Sequence, residues 1–423
     1  MSSFTYPPQP ASVEETGIDR NYLTNLLAKT LSLLGVATPA VLSDKLKLSK
    51  SIIRNLLDEM VSQQLAESRG LEGGDVKGDI RYSLTRAGHE RVQEHSQISQ
   101  YVGPAPVSLN KFIEQIQLQS IQHEEIHHKE LRDCLDHLVL NKTLMLQLGP
   151  AVNSARSVLL YGEPGNGKTS IAEALGSSFS DTIYLPYAIL MGGQTIVFYD
   201  ETIHEIANEI DAAEENPKLD PRWVRCKRPV VITGGELTLD MLDLSYNQQA
   251  KFYEAPVHVK ALGGIFIIDD FGRQQTPPRD ILNRWIVPLE KGHDYLKLHT
   301  GMKIQIPFDQ LVVFSTNMSP EEISDGAALR RIYFKIHIPS PKKDQYIEIF
   351  QNACEKLEIA FDEEVISGFY EHFYDKEGFV TSGAHPEFLL NHIIAVSAYH
   401  DKEPKLSREL LDLAWKNVAA DRK

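Results

Sequence analysis

Apolar residues recur at helical spacing through the first hundred positions. Tyr22, Leu23, Leu26, Leu27, Leu31 and Leu34 form one stripe, and Ile52, Ile53, Leu56, Leu57, Met60, Val61 and Leu65 form a second. That period marks helices which bury one face. Between them, Pro39 suits the first turn of a short helix over Thr38–Leu46. Leu65–Arg69 and Ile80–Leu84 read as the two arms of a small hairpin around the polar residues Glu72, Gly73, Gly74 and Asp75. Thr85 is placed to cap a further helix. Residues 18–98 therefore read as one compact unit, helices first, then a hairpin, then a helix. The preceding residues 1–17 are polar, Pro-rich and aperiodic, and are expected to be disordered. Residues 99–130 form a linker broken at Pro104 and Pro106, with a helical period over Leu109–Leu118.

The pattern changes over residues 131–340. Short β-rich apolar runs (Ser157–Tyr161, Thr182–Leu185, Val230–Thr233, Ile265–Asp269, Leu311–Thr316 and Ile332–Ile338) alternate with helical stretches. Such alternation predicts a mostly parallel sheet covered on both faces. Tyr184–Tyr199 reads as a further hairpin followed by an acidic helix. Residues 341–423 return to helix alone, most clearly over Tyr346–Leu357 and Leu406–Ala419.

Composition narrows the function classes. The 423 residues carry a net charge of −15, which disfavours broad non-specific contact with DNA or anionic lipid. Three cysteines, Cys134, Cys226 and Cys354, lie far apart and read as free thiols of a reducing compartment. The opening MSSFTYPPQPASVEE lacks the basic and apolar regions of a signal peptide. No apolar stretch reaches the roughly 18 residues of a membrane span. The expected location is cytoplasmic, with no membrane partner.

The chemistry concentrates in SVLLYGEPGNGKTSIAEAL. Gly162, Glu163, Pro164, Gly165, Asn166, Gly167, Lys168 and Thr169 satisfy the phosphate-loop (Walker A) pattern G-x-x-x-x-G-K-[ST], with a buried strand before it and an Ala/Leu helix after it. Glycines let backbone N–H groups turn toward phosphates, and the helix start at Lys168, Thr169 and Ser170 adds a favourable dipole. Lys168 would neutralise the β- and γ-phosphates, and Thr169 would place its hydroxyl on Mg²⁺. In GGIFIIDD, four apolar residues deliver Asp269 and Asp270 to the C-terminal end of a buried strand, where ligands bind in open α/β sheets. Asp269 is the expected Mg²⁺ partner and Asp270 the expected activator of water. Asn317, ending LVVFSTN, would help orient that water. Arg330 and Arg331 precede the last strand and are candidates to contact the γ-phosphate of a neighbouring subunit.

In this order, these motifs resemble the AAA+ ATPase family over about residues 131–423. FYEAPVHVKALGGIFIIDDFGR, and a hairpin over Tyr295–Phe308 before the Asn317 strand, are similar to the branch containing magnesium chelatase, MoxR-type chaperones and bacterial enhancer-activating ATPases. The resemblance implies an αβα core with a parallel five-stranded sheet over 131–340 and a C-terminal helical lid over 341–423. It implies ATP hydrolysis with Mg²⁺ between subunits of a homo-oligomeric ring, usually six. It also implies adenine packing near Leu138, Val139 and Leu140, and Arg331 fits the arginine finger slightly better than Arg330. One departure stands out: the lid segment GAHPEFLLNHI offers His385 and Glu387 where the family often has a sensor-2 arginine.

The element order of residues 18–98 is that of a winged-helix-like α+β domain. Its second stripe carries Lys50 and Arg54 but also Asp58 and Glu59, so a protein-docking role is favoured over DNA. The expected function is an ATPase that remodels a protein or nucleoprotein client, chaperone-like in kind. The alternatives are an ATP-switched DNA-binding regulator and a slow-turnover nucleotide sensor. His123-Glu124-Glu125-Ile126-His127 matches the zinc motif H-E-x-x-H, but no third ligand is evident and a solvated helix is the preferred reading. Gly234, Gly235 and Glu236, with Leu237, Leu239, Met241 and Leu242, fall where the family places client-gripping loops; a packing insert is the competing reading.

Overall fold

The computed structural model describes residues 6–71, 79–207, 218–323 and 326–418. The N-terminal unit follows the order read from the stripes. Helices Arg20–Leu34, Pro39–Leu46 and Lys50–Ser62 start on the side-chain caps of Asp19, Thr38 and Ser49, each satisfying an otherwise orphan N–H. Ala66–Leu71 and Ile80–Leu84 pair antiparallel, with Val36–Ala37 added at the edge. The polar loop between the arms, Glu72 to Asp75, lies outside the described residues. Helix Arg86–Ser96 begins on the Thr85 cap.

The expected disorder at the start is corrected for residues 6–17. Pro8 bridges Leu219, Gln9 donates its N–H to Lys218, and Val13 and Thr16 are buried. The cause is a fully buried guanidinium. Arg222 pairs with Asp220 at 2.7 Å and donates to the carbonyls of Thr16 and Pro106. Composition cannot register a backbone used to satisfy a buried charge.

The central sheet is parallel, with the strands in the order Val230–Thr233, Ile265–Ile268, Leu311–Thr316, Val158–Tyr161 and Phe334–His337. Alternate residues feed two cores. Val158, Leu160, Ile265, Ile267 and Val313 face helix Lys168–Ser177, which contributes Ile171, Ala172 and Leu175. Leu159, Phe266, Ile268, Val312 and Phe314 face Ile281, Leu282 and Trp285. Burial on both faces explains why these strands read as unbroken apolar runs. One expected member is absent: Thr182–Pro186 pairs antiparallel with Trp223–Lys227 in a separate two-stranded sheet.

A second β layer packs beside this core. Ser245–Asn247, Phe252–Glu254, Gln194–Val197, Ala188–Met191 and Val107–Ser108 form a mixed five-stranded sheet. Its core takes in Phe112 and Ile116 of helix Leu109–Leu118, together with Leu296 and Ile306 of the hairpin His293–Lys297/Lys303–Pro307. The expected hairpin within Tyr184–Tyr199 is present as Ala188–Met191 with Gln194–Val197. Residues 208–217, which carry much of the expected acidic helix, lie outside the described residues. The N-terminal unit rests on this layer through Ala188, Leu190 and Val197, and Tyr22 Oη lies 2.5 Å from Thr195 Oγ1. Arg228, also buried, joins linker to core: it pairs with Asp181 and Glu124 and donates to the carbonyls of Gln119 and Gly263.

Helices Lys343–Lys356, Glu363–Tyr370, His385–Tyr399 and Arg408–Val418 close the chain around an aromatic core of Tyr346, Phe369, Tyr374 and Trp415. Among the described residues no helix is long and apolar enough to cross a membrane.

Candidate active site

Strand Val158–Tyr161 ends at Gly162, whose φ of +146° and crowding admit no side chain: a Cβ would lie 2.3 Å from the Ile338 carbonyl oxygen. The chain turns again at Gly165 (φ +76°) and enters helix Lys168–Ser177 from Gly167. This places the first N–H groups of the helix around the loop, the arrangement that receives phosphate. Lys168 is buried and folds over the loop, its Nζ 2.9 Å from the carbonyl oxygens of both Gly162 and Glu163. Burial holds its ammonium below the ordinary lysine range, while Asp269, Asp270 and Glu163 pull the other way. A triphosphate would restore the negative charge such a group wants.

Thr169 Oγ1 lies 3.0 and 2.9 Å from the two carboxylate oxygens of Asp269. One hydroxyl and one carboxylate converging beside a phosphate loop form the hard-oxygen donor set that suits Mg²⁺, which keeps several waters and few protein ligands. Thr169 and Asp269 would hold the ion, which when bound would supply positive charge to offset that of the phosphates during their transfer. Asp270 follows with φ +48°. The two central strands are in register, Ile268 opposite Phe314, so Asn317, one residue past Thr316 and half-buried, emerges at the same sheet end as the acid pair.

Arg330 and Arg331 are elsewhere. The Ser157 hydroxyl donates to the Arg331 carbonyl, and Phe334 pairs with Val158. Both arginines thus precede Phe334–His337, with Arg331 beside the start of the strand that leads to Gly162, about 16 Å away at strand rise. Arg330 is exposed, and Arg331 Nε donates to Glu290 at 2.8 Å. Within one chain they do not join the phosphate loop. Leu138, Val139 and Leu140 are half-buried between helices His128–Leu135 and Lys142–Asn153, with Leu138 and Leu140 against the core under the loop.

The C-terminal helices meet the loop without an arginine. Ser382 Oγ donates toward the carbonyls of Pro164 and Gly165, and the Gly383 N–H donates to Asn166 Oδ1 at 3.2 Å. His385 turns inward, its Nδ1 2.7 Å from Tyr374 Oη, and burial pushes it down to about 4. Glu387 pairs with Lys356. Sequence reading missed Ser382, Gly383 and Gln274, the last of which bonds the turn after Asp270. Ser-Gly just before a helix with proline in its first turn was the available signal for the first two; nothing in the sequence marked Gln274.

The H-E-x-x-H stretch is not one helix, which corrects the solvated-helix reading. His123 ends the 3₁₀ turn Ile121–His123, Glu124 is held by Arg228, and His127 is the residue before helix His128–Leu135. Among the described residues no three His, Cys, Asp or Glu side chains converge to hold a metal.

The strand order, the phosphate loop and the acidic strand one place removed from it define an α/β P-loop fold. A family model described as a domain of unknown function, DUF8689, matches residues 342–417, the C-terminal helices alone. No curated protein matches the chain. Similar solved structures include NtrX from Brucella abortus in complex with ADP (TM-score 0.40, 13% identity, 67% of this chain and 56% of that chain). They also include the Thermotoga maritima RuvB Holliday junction branch migration motor (TM-score 0.36, 13% identity, 74% and 72%). The chain spans little more than half of that NtrX chain.

Proposed function

We propose that this protein is a Mg²⁺-dependent ATP hydrolase that works as a homo-oligomeric ring, of six subunits by its resemblance, and couples turnover to remodelling a protein client. The observation that carries the ATPase reading is the convergence of Thr169 on both oxygens of Asp269 beside a lysine folded over the phosphate loop. Lys168 and the loop N–H groups bind the triphosphate. Asp270 and Asn317 orient water. Catalysis then rests on positioning and charge, with no covalent intermediate.

Among the described residues, Lys168 is the cation hydrogen-bonded to the phosphate loop, and Arg331 lies at the opposite end of the sheet, beside Ser157. A neighbouring subunit's Arg331 is the natural donor, and this favours the ring. The hairpin His293–Lys297/Lys303–Pro307 ahead of the Asn317 strand supports the magnesium chelatase, MoxR and enhancer-activator branch.

The N-terminal order of helix, strand, two helices and two strands supports a winged helix. Its exposed face is not basic: Arg54 pairs with Asp79, Lys47 pairs with Asp44, and Asp58 is exposed. That balance favours a protein partner over duplex DNA, which asks for net positive phosphate contacts. Slow turnover is a second reading, favoured by Asp270 being one methylene shorter than glutamate and by Ser382 and Gly383 standing where an arginine would act.

The test is Lys168→Ala in the full chain, followed by Mg·ATP binding and phosphate release. Loss of both is expected. Undiminished turnover in a clean preparation would remove the site assignment.

A further inference from the structure

Asp270 holds a left-handed backbone (φ +48°) without being glycine. Such a conformation persists where surrounding structure over-determines it, and its presence at a site is a pointer to function. The surroundings here are specific. Gln274, 8% exposed, directs Nε2 at the carbonyl oxygens of Asp269 (3.0 Å), Gly234 (3.2 Å) and Asp270 (3.3 Å), while its Oε1 accepts the Gly272 N–H at 2.8 Å. From the other side, the Phe271 N–H donates to the Ser315 carbonyl at 2.7 Å, and Thr316 Oγ1 donates to the Phe271 carbonyl at 2.6 Å. Gly272 (φ +108°) lies so close to Met318 that a Cβ would meet its sulfur at 2.4 Å.

The turn Asp270–Gln274 is therefore stapled between the ends of strands Val230–Thr233 and Leu311–Thr316. We infer that Gln274 is a positioning residue for hydrolysis: it locks the left-handed turn that aims the Asp270 carboxylate at the attacking water. Only an amide side chain of this length both donates to the carbonyls and accepts from Gly272. Glutamate would set a charge against carbonyl oxygens, and methionine would fill the space with no bonds. Because one side chain ties Gly234 to the acid pair, the register between those strand ends and the water-activating group is fixed together. The inference rests on Asp270 acting on water.

The experiment compares the full chain with Gln274→Met, Asp270→Asn and the double variant, by steady-state and single-turnover hydrolysis at saturating Mg·ATP. Gln274→Met should lower kcat on the order of 10²-fold, the cost of misplacing a reacting group by about 1 Å. KM for ATP should stay within about twofold, because binding of the ground state is untouched. In the Asp270→Asn background the same change should cost nothing further, since the two residues act as one unit. An equal loss in both backgrounds, or no loss in the first, overturns the inference.

If the unaltered chain binds Mg·ATP without turning it over, the hydrolase reading fails and the clamp is judged separately by hydrogen exchange. Faster exchange at the Phe271 and Gly272 amides of Gln274→Met, with Val312 to Phe314 unchanged, supports the clamp. Unchanged exchange at Phe271 and Gly272 overturns it.

Discussion

The Thr169 hydroxyl reaches both carboxylate oxygens of Asp269, at 3.0 and 2.9 Å, across 100 positions of chain. The bond brings the start of one helix against the end of the neighbouring buried strand but one. Asp269→Asn should leave the fold intact and weaken the response to Mg·ATP. The unaltered chain should gain about 2.7 kcal/mol of stability at ligand a hundredfold above Kd. The variant should gain much less at the same concentration, read as the shift of Tm with and without Mg²⁺.

Asp270 and Arg331 are predicted to act on the same nucleotide from different chains. Arg331→Ala should bind ATP normally and hydrolyse it about 10³-fold more slowly, as loss of an arginine finger does. Losing its pair with Glu290 should cost at most about 1 kcal/mol, since the partners are partly exposed. Mixing Arg331→Ala with Asp270→Asn should recover turnover in mixed rings. No recovery, with mixed assembly verified, would assign Arg331 a role within its own chain.

Gly165→Ala tests the contact between the phosphate loop and the C-terminal helices. The new Cβ would sit 2.4 Å from Ser382 Oγ and 3.1 Å from the Ala384 Cβ, at a φ of +76°. A loss of about 1 kcal/mol or more in denaturant unfolding is expected from the backbone alone, together with weaker ATP binding. Ser382→Gly in that background should return part of the binding, because it removes the nearer clash. No return would mean the loop tip is independent of the helices.

Burial of His385 should make the C-terminal helices sensitive to acid. Desolvation pushes its folded-state value from 6.5 down to about 4, so between those values the unfolded chain binds the extra proton. Stability from this group is complete above 6.5 and declines as pH falls toward 4. Thermal unfolding followed across that window should show the decline, and His385→Gln should flatten it. An unchanged slope would assign the acid sensitivity to carboxylates instead.

The parts of this molecule that were legible in sequence are those with a periodic or positional signature. Four-residue runs such as Ile265–Ile268 are apolar throughout because both faces are covered, and Lys168 is marked by glycines at fixed offsets. Thr182–Pro186 carries the same apolar signal, yet it pairs antiparallel elsewhere, because burial says nothing of the partner strand. The mixed sheet was unreadable since Val107–Ser108 joins it parallel to Ala188–Met191 from far away in the chain. His123 and His127 keep helical spacing across a stretch that Arg228 breaks by drawing Glu124 inward. The ordering of residues 6–17 likewise depends on Arg222, a distant buried charge. Gln274 is a single polar side chain addressing carbonyls, and carbonyls have no letter in the sequence.

The strand Val158–Tyr161, with Ser157 before it and Gly162 after it, separates what one chain can offer from what it needs. Its upper end presents the phosphate loop, and its lower end anchors Arg331 through a carbonyl to the Ser157 hydroxyl. Under the ring reading, a solitary molecule is half an enzyme twice over, holding a pocket with no finger and a finger with no pocket. Specific activity should then climb with dilution reversed, and the midpoint of that climb would report how tightly the copies hold together.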